Sequence, residues 1–398
     1  MNSGIKRLLK KSYWVRFAVW LATLNFIDLL AIMLPTSPLQ KGKKRVVFVK
    51  VDGIGDYVIW MASFETLKRM YPASEYERLL IGSDKWQGLA ESENTFHRKF
   101  FVDTDKLIFN PFYRFSKMRL IRNLNADIVI NPRLTRDFLW GDSLVRCCGA
   151  PVKIGSSGIE NLMTKVQERI SDRWYTKLVI PPEKGRHELI SHLEFLSEID
   201  PKIEVKLTTT EISDVGYCSK FNLETPYAIL FLGAFTADKR WPTTHFGETA
   251  RFLSERYMYQ IVLCGGPDDK YLVDGFAKHF AGNFIDLTGK TTLLELANLI
   301  RSAKLVITND SGPGHIAIAT GCPAVVLTPG NHVGRFFPYP AELGVRQTAV
   351  LHEMPCFGCG WECIYKDIDE NSPKPCIANI SVNDVVGAIP QLLGYSFR

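Results

Sequence analysis

The turn from Thr308 to His315 has the residue types that bind anions in proteins. A β-branched apolar run, Leu305-Val306-Ile307, leads into it, and a small-residue helical pattern over 316–321 leads out. A helix that begins at such a turn exposes unpaired backbone N–H groups and the positive end of its dipole, and phosphate is the anion usually bound there. The alternative is a plain strand-to-helix turn with Asp310 or Ser311 as the N-cap.

Three further segments place polar residues directly after predicted strands. Two glycines let the chain turn sharply in Asp52-Gly53-Ile54-Gly55-Asp56, and Asp56 falls at the start of the next helix. After a second strand, Lys239 and Arg240 can bind phosphate oxygens through charge-assisted hydrogen bonds. After a third strand come two carboxylates that can accept ribose hydroxyls, Asp268 and Asp269.

These segments are separated by short apolar runs that alternate with helical patterns, which predicts parallel α/β sheets. The first strand covers 45–51 and is followed by a helix over 57–71. The alternation restarts at 227–232 after a polar stretch. Ligands bind beyond the carboxyl ends of strands in such sheets, where all four segments lie.

The predicted organisation is two doubly wound, Rossmann-like α/β domains with an N-terminal helix. The chain divides into an N-terminal segment (1–44), a first domain (45–205), a linker (206–225), a second domain (226–380) with a Cys-rich loop (355–377), and a C-terminal helix (381–398) that packs back on the first domain. A length of 398 residues fits two domains, since single cores stop growing at about 250–300 residues.

The net charge of +6 is concentrated at the N-terminus. Residues 1–45 carry nine Lys and Arg against one Asp, a charge of +8, so the remaining residues sum to −2. A body without net positive charge argues against nucleic acid as a partner. A basic segment beside apolar residues indicates an anionic lipid surface instead.

The apolar run over 17–34 favours a helix that lies in the membrane interface. Asp28 in its middle is costly in hydrocarbon, and basic clusters on both sides fit an interfacial helix. A membrane-spanning helix, a helix packed against protein and a cleaved signal peptide are the alternatives. The expected location is the cytoplasmic face of the inner membrane, with the protein peripheral or anchored through residues 1–44.

Four of the nine cysteines cluster after the last predicted strand of the second domain: Cys356, Cys359, Cys363 and Cys376. Their short spacing is compatible with structural zinc or an iron–sulfur site, with disulfides, or with packed thiols. The other five are scattered and are interpreted as reduced residues of a cytoplasmic protein.

Over residues 45–395 the chain resembles the family 9 glycosyltransferases, which include the heptosyltransferases of lipopolysaccharide assembly. The resemblance rests on Ile54-Gly55-Asp56, on Lys239-Arg240-Trp241-Pro242, and on Asn309-Asp310-Ser311-Gly312 followed by His315. It implies a GT-B fold, two Rossmann-like domains facing a cleft. The N-terminal domain would bind the acceptor and the C-terminal domain the nucleotide-sugar, with inversion at the anomeric centre and no required cofactor or catalytic metal.

The resemblance also implies roles for single residues. Asp56 would be the general base, with an N-cap as the alternative, and Lys239 with Arg240 would neutralise the diphosphate, with a solvated loop lysine as the alternative. Ser311 and Gly312 would hold the phosphates, Asp310 would contact the donor sugar or phosphate, and His315 would support the turn or the diphosphate unless it only packs. Two arginines after a strand of the first domain would bind an acidic acceptor or lie on the surface, Arg133 and Arg136.

The predicted activity is transfer of a sugar, heptose being one candidate, to a lipopolysaccharide, lipid-linked or other envelope glycan. A nucleotide-sugar epimerase on the same fold is one alternative. A non-catalytic, membrane-attached sugar-nucleotide-binding protein is another. The sequence leaves the identity of the sugar and of the acceptor open.

Overall fold

The computed structural model describes residues 19–36, 42–158, 162–180, 185–212, 219–221, 223, 226–360, 362–369 and 371–394. Parts of the predicted N-terminal segment, linker, Cys-rich loop and C-terminal helix lie outside these ranges. Within the ranges, no helix combines the length and the apolar character needed to cross a membrane.

The first domain is built on a parallel sheet whose strand order is β3-β2-β1-β4-β5-β6. Its central strands are apolar and buried on both faces, as in parallel sheets covered by helices on both sides. The strands are β1 (Lys44–Lys50), β2 (Tyr76–Ser83), β3 (Arg98–Val102), β4 (Ile128–Asn131), β5 (Val152–Ser156) and β6 (Lys177–Val179).

The second domain repeats this topology in the order β12-β11-β10-β7-β8-β9, again parallel. In both sheets the strand order reverses at one point, between β1 and β4 and between β7 and β10, and such switch points are where doubly wound sheets bind ligands. The strands are β7 (Tyr227–Phe231), β8 (Gln260–Cys264), β9 (Phe284–Asp286), β10 (Leu305–Asn309), β11 (Ala324–Leu327) and β12 (Gln347–Val350).

Helices cover the sheets on both sides. Besides α1, described over 19–33, they are α2 (Ile54–Met61), α3 (Phe64–Met70), α4 (Gln87–Glu91), α5 (Thr104–Phe109), α6 (Pro111–Arg122), α7 (Gly141–Cys148), α8 (Lys165–Asp172), α9 (Glu188–Ile199), α10 (Thr243–Tyr257), α11 (Lys270–Ala277), α12 (Leu293–Ser302), α13 (Gly312–Ala319), α14 (Pro375–Ala378) and α15 (Val382–Leu393).

The structure corrects two sequence predictions. The helix expected over 57–71 is two helices, α2 and α3, because Ala62 and Ser63 bond three residues back and tighten the chain. The described part of the C-terminal helix, α15, packs on α10, β11 and β12 of the second domain, so the prediction that it returns to the first domain is wrong. Its buried residues Val385 and Ile389 complete the core there.

Helix α1 is held on the first domain by a buried ion pair. The Arg114 guanidinium of α6 donates Nε–H and Nη2–H to the two carboxylate oxygens of Asp28, each at 2.7 Å, and both side chains are buried. Arg119 donates to the carbonyls of Ala31 and Leu34 at the end of the helix. Protein packing thus satisfies the charge of Asp28, one alternative left open by the sequence, while the opposite face of α1 stays exposed.

Replacing Asp28 with Ala should destabilise the first domain by about 3–5 kcal/mol, since it leaves the Arg114 cation buried without its carboxylate. Urea unfolding measures the loss. Glu65→Ala removes an exposed ion pair with Lys68 and is the matched control, with an expected cost below about 1 kcal/mol. Equal costs for the two variants would contradict the assigned role of the buried pair.

Candidate active site

The two domains meet where α2 and α13 begin. A Cβ added to Gly55 would lie 2.6 Å from Cδ2 of His315, and one added to Gly312 would lie 3.2 Å from Cβ of Ile54. Helix α2 follows β1 and α13 follows β10, so this contact joins the switch points of the two sheets. At Gly55 a side chain would clash across the cleft, and at Gly312 it would be tightly crowded.

Asp56 lies in the first turn of α2, beside this contact. Its Oδ2 accepts the N–H of Gly53 at 3.2 Å, so the N-cap alternative is partly realised. Burial, and then the negative charge of Asp52, raise the pKa of Asp56 to about 6. A capping carboxylate with a raised pKa can also take a proton near neutral pH.

Two cations of the first domain pair with the neighbouring carboxylate of Asp52. Lys50, fully buried at the end of β1, lies 2.9 Å from Asp52, and Arg133 after β4 lies 3.5 Å from it. Both cations lower the pKa of Asp56 and so oppose the effect of burial. Oδ1 of Asp52 and Nε of Arg133 are buried and make no hydrogen bond to the described residues, so they can serve a polar ligand.

Lys239 and Asp310 face Asp56 from the second domain. Burial lowers the pKa of Lys239, while the charges of Asp310, Asp238 and Asp56 raise it. Burial raises the pKa of Asp310 to about 6 against the opposing charge of Lys239. The structure therefore brings Asp56, Lys239 and Asp310 together across the domain contact.

Asn309 holds the loop of Lys239 in place, a role that the sequence analysis missed. Its Oδ1 accepts the N–H of Trp241 at 2.9 Å, and its Nδ2 donates to the carbonyls of Leu232 and Gly233 at 3.0 Å each. The Trp241 indole is buried and donates to the Ile380 carbonyl at 2.9 Å. The sequence feature that could have revealed this role is the position of an Asn at the end of a buried strand.

The remaining predicted donor residues divide between binding and support. Arg240 donates to the carbonyl of Ala234 at 3.2 and 3.0 Å and to the hydroxyl of Tyr271, which braces its own loop. The Ser311 hydroxyl donates to the Asn309 carbonyl at 3.0 Å and does not cap α13. In the first turn of α13, Pro313 has no N–H and the Gly314 N–H donates to the Ser311 carbonyl at 3.0 Å, so this turn offers an anion the positive end of the helix dipole and the Gly312 N–H.

His315 has a packing role, and its imidazole is neutral. It is buried, its ring stacks on Phe337 at 4.4 Å between centroids, and its Nδ1 lies 3.0 Å from the Tyr339 hydroxyl. Burial, and then the charge of His187, lower the pKa of His315 to about 3. A neutral imidazole supports the turn but brings no positive charge to a diphosphate, which agrees with the packing alternative.

A cavity of about 460 Å³ lies beside this cluster, at the carboxyl ends of β7 and β8. Asp268 is exposed at its edge, whereas Asp269 accepts the Gly266 N–H at 3.0 Å and so caps its own turn. Of the two, Asp268 is the better placed for a ribose hydroxyl. The wall also includes Phe235, Arg240, Leu293, Ser311 and, from the first domain, Ile54.

The two arginines of the first domain have different surroundings. Arg136 is fully buried, bonds Asp142 and Asp172, and lies over the ring of Tyr175. Arg133 is also buried, but beside Asp52 and near Asp56. The surface alternative is therefore wrong for both, and of the two only Arg133 adjoins the candidate base.

A second contact between the domains was not predicted. The Arg335 guanidinium, in the loop after β11, donates to Glu188 at 2.9 Å and to the Thr135 hydroxyl at 2.7 Å. The Glu188 backbone N–H bonds the Arg335 carbonyl at 2.8 Å. Glu188 also raises the pKa of Asp56, so this contact adjoins the same site. No short motif marks such a long-range pair.

The four clustered cysteines are thiols, and burial followed by the charges of the other three raises the pKa of Cys376. Among the described residues, no group of three or more His, Cys, Asp or Glu side chains is arranged to hold a metal ion. The structure thus gives the zinc and iron–sulfur alternatives no support.

Comparison with solved structures identifies the fold. Escherichia coli ADP-heptose lps heptosyltransferase II aligns with a TM-score of 0.67 at 18% identity, over 88% of this chain and 98% of that one. The E. coli heptosyltransferase WaaC with ADP-2-deoxy-2-fluoro heptose aligns with a TM-score of 0.61 at 18% identity, over 87% and 99%. With two Rossmann-ordered sheets meeting at a cleft, this is a GT-B fold.

Sequence comparison identifies the family. The profile of Glycosyltransferase family 9 (heptosyltransferase) matches residues 114–363. The E. coli K12 protein lipopolysaccharide heptosyltransferase 3 is 30% identical over 351 residues, which cover 85% of this chain and 95% of that protein. The chain belongs to glycosyltransferase family 9. The predicted family, fold and enzyme class are confirmed, and membership argues against the epimerase and non-catalytic alternatives.

Replacing Gly55 with Ala should lower kcat about 100-fold, because the added methyl group pushes α2 away from His315 and displaces Asp56. Alanine is otherwise the better helix former, so a loss of activity reports the close approach. Gly88→Ala in α4 is the control, since its added Cβ meets nothing within 4 Å. Wild-type kcat in the Gly55 variant would refute this requirement.

If Asp56 is the general base, the kcat/KM of transfer should rise with pH along a limb centred near 6, because the pKa of Asp56 in the ligand-free protein is raised to about 6 and only the ionised carboxylate accepts a proton. Asp310 has a similar pKa, so the profile is also measured for Asp310→Asn. The limb should persist in that variant. A kcat/KM that is flat between about pH 5 and 7, or a limb that vanishes in Asp310→Asn, would rule out Asp56 as its source.

Proposed function

We propose that the protein transfers heptose from ADP-heptose to a lipopolysaccharide or other lipid-linked envelope glycan, with inversion and with Asp56 as the general base. The observation that supports the mechanism is the close contact of α2 with α13, which brings Asp56 to the side of the second domain that carries Lys239 and Asp310. The names of the relatives support the donor and the acceptor class.

The reaction is a direct displacement at the anomeric carbon. The acceptor oxygen bonds to that carbon from the side opposite the diphosphate, and its proton goes to a carboxylate oxygen of Asp56. The bond between the carbon and the diphosphate oxygen breaks, and ADP leaves with the electron pair. Direct displacement inverts the anomeric configuration.

Lys239 and the N-terminus of α13 stabilise the departing diphosphate. Lys239 supplies a cation beside Asp310, and the positive end of the α13 dipole with the Gly312 N–H adds to it. These groups take the role that a metal ion plays in other transferases, so we infer that catalysis requires none. Asp310 orients Lys239 and the donor sugar.

The acceptor binds on the side of the first domain. Arg133 and Asp52 present buried polar atoms there that the described residues leave unbonded, which suits the hydroxyl or acidic groups of a glycan. The nucleotide occupies the 460 Å³ cavity of the second domain, with Asp268 on the ribose. A lipid-linked acceptor places the enzyme at the cytoplasmic face of the inner membrane.

Asp56→Asn should lower kcat by about 10²–10⁴-fold, because the amide cannot take the acceptor proton. The Kd for ADP-heptose should change little, since the donor binds to the other domain. Transfer of label from ADP-heptose to glycolipid extracted from cells that lack the protein gives kcat, and calorimetry gives Kd.

Asp274→Asn, an exposed carboxylate on α11, is the matched control and should keep wild-type values for both. Wild-type kcat in Asp56→Asn would exclude the general-base role. Failure of ADP-heptose to bind the wild-type protein, with another nucleotide-sugar binding instead, would exclude heptose while leaving the mechanism in place.

A further inference from the structure

The exposed face of α1 is apolar along its described length. Seven residues at helical spacing form it, and the apolar ones are Val19, Ala22, Phe26, Leu29, Leu30 and Met33. Thr23 is the polar side chain among the described residues of this face, and its hydroxyl donates back to the Val19 carbonyl at 2.9 Å. A helix that faces water ordinarily carries charged residues on that side.

Two aromatic side chains of the domain body extend this face. Phe109 ends α5 and is 76% exposed, and Phe112 in the first turn of α6 is 88% exposed. The ring of Phe109 stacks on Trp20 of α1 at 6.1 Å between centroids, which makes the surface continuous. We call α1's exposed apolar residues together with Phe109 and Phe112 the docking face. Contiguous exposed apolar surface of this kind marks an interaction site.

The docking face is fixed to the catalytic domain. The buried Asp28–Arg114 pair holds the middle of α1, and Arg119 bonds the carbonyls at its end. In addition, Arg146 of α7 donates to Asn25 at 3.4 Å. The face is therefore a rigid part of the domain.

The sequence on both sides of α1 indicates what covers the docking face. Residues 1–18 carry five Lys and Arg, and residues 41–44 carry three more, whereas Arg45 is paired with Glu77. Cations next to an apolar, aromatic face match the boundary of an anionic bilayer, where headgroups bind the cations and acyl chains take the apolar groups. A second copy of this chain would bring the same positive charge and be repelled.

We infer that the docking face binds the surface of an anionic lipid bilayer and lies in its interface. The inference deepens the membrane location in the proposed function and names the residues that make the contact. It does not depend on the transfer chemistry, since no residue of the docking face belongs to the candidate active site.

The test is flotation of the purified full-length protein, without substrates, on vesicles of phosphatidylglycerol and phosphatidylethanolamine. The protein should float with these vesicles and bind pure phosphatidylcholine vesicles more weakly. Two double variants examine the two parts of the face, Phe26→Gln/Met33→Gln in α1 and Phe109→Gln/Phe112→Gln in the domain body. Each should reduce vesicle binding about tenfold or more.

Met258→Asn/Ile364→Gln is the matched control, because these side chains of the second domain are similarly exposed, and it should float like the wild type. Circular dichroism and gel filtration confirm that each variant folds. If Phe109→Gln/Phe112→Gln floats like the wild type, Phe109 and Phe112 are not part of the docking face, and the inference as stated is overturned. Loss of self-association in both variants without a change in flotation would show that a second copy covers it. Failure of the wild-type protein to float on anionic vesicles would overturn the inference, whereas a wild type that floats but transfers no heptose would count against the proposed function alone.

Discussion

The contact between the first turns of α2 and α13 is the constraint on which the rest of the site depends. Gly55 and Gly312 let the two helices approach until the imidazole of His315 lies against α2. Asp56 directly follows Gly55, and Asp310 shortly precedes Gly312, so one contact sets the distance between the domains' functional groups. A charged imidazole would be costly at this buried position, and the pKa of about 3 keeps His315 neutral there.

This closeness also determines the electrostatics of the site. Burial raises the pKa of Asp56 and Asp310 and lowers that of Lys239, so it favours the neutral form of all three side chains relative to water. Lys50 and Arg133 lower the pKa of Asp56 from the acceptor side. In the proposed mechanism, a bound diphosphate would add negative charge next to Lys239 and favour its ionised form. The cations of the first domain would then keep Asp56 ionisable, and the donor would keep Lys239 charged.

The sequence predicted the elements that lie in the centre of each sheet, because β1, β7 and β10 are continuous apolar runs that end in turn residues. Edge strands such as β6 and β12 are short and less apolar, and they were not predicted. Arg133 and Arg136 were indistinguishable by sequence, since the partners that set them apart, Asp52 for Arg133 and Asp172 for Arg136, lie in distant segments that only the fold brings close. The roles of Asn309 and Arg335 likewise depend on contacts across 68 and 147 residues of chain.

The docking face and helix α2, which carries Asp56, lie on opposite sides of one sheet. Along β1, Val47 and Val49 pack in the cluster that includes Ala31 of α1, whereas Phe48 packs with Tyr57 of α2. Adjacent residues of a strand point to opposite faces, so β1 separates α1 from α2. An enzyme bound to the bilayer through α1 would hold Asp56 at a fixed height above the lipid. The glycan of a lipid-linked acceptor would have to pass the carboxyl edge of this sheet, where Arg133 and Asp52 lie, before it reaches the base.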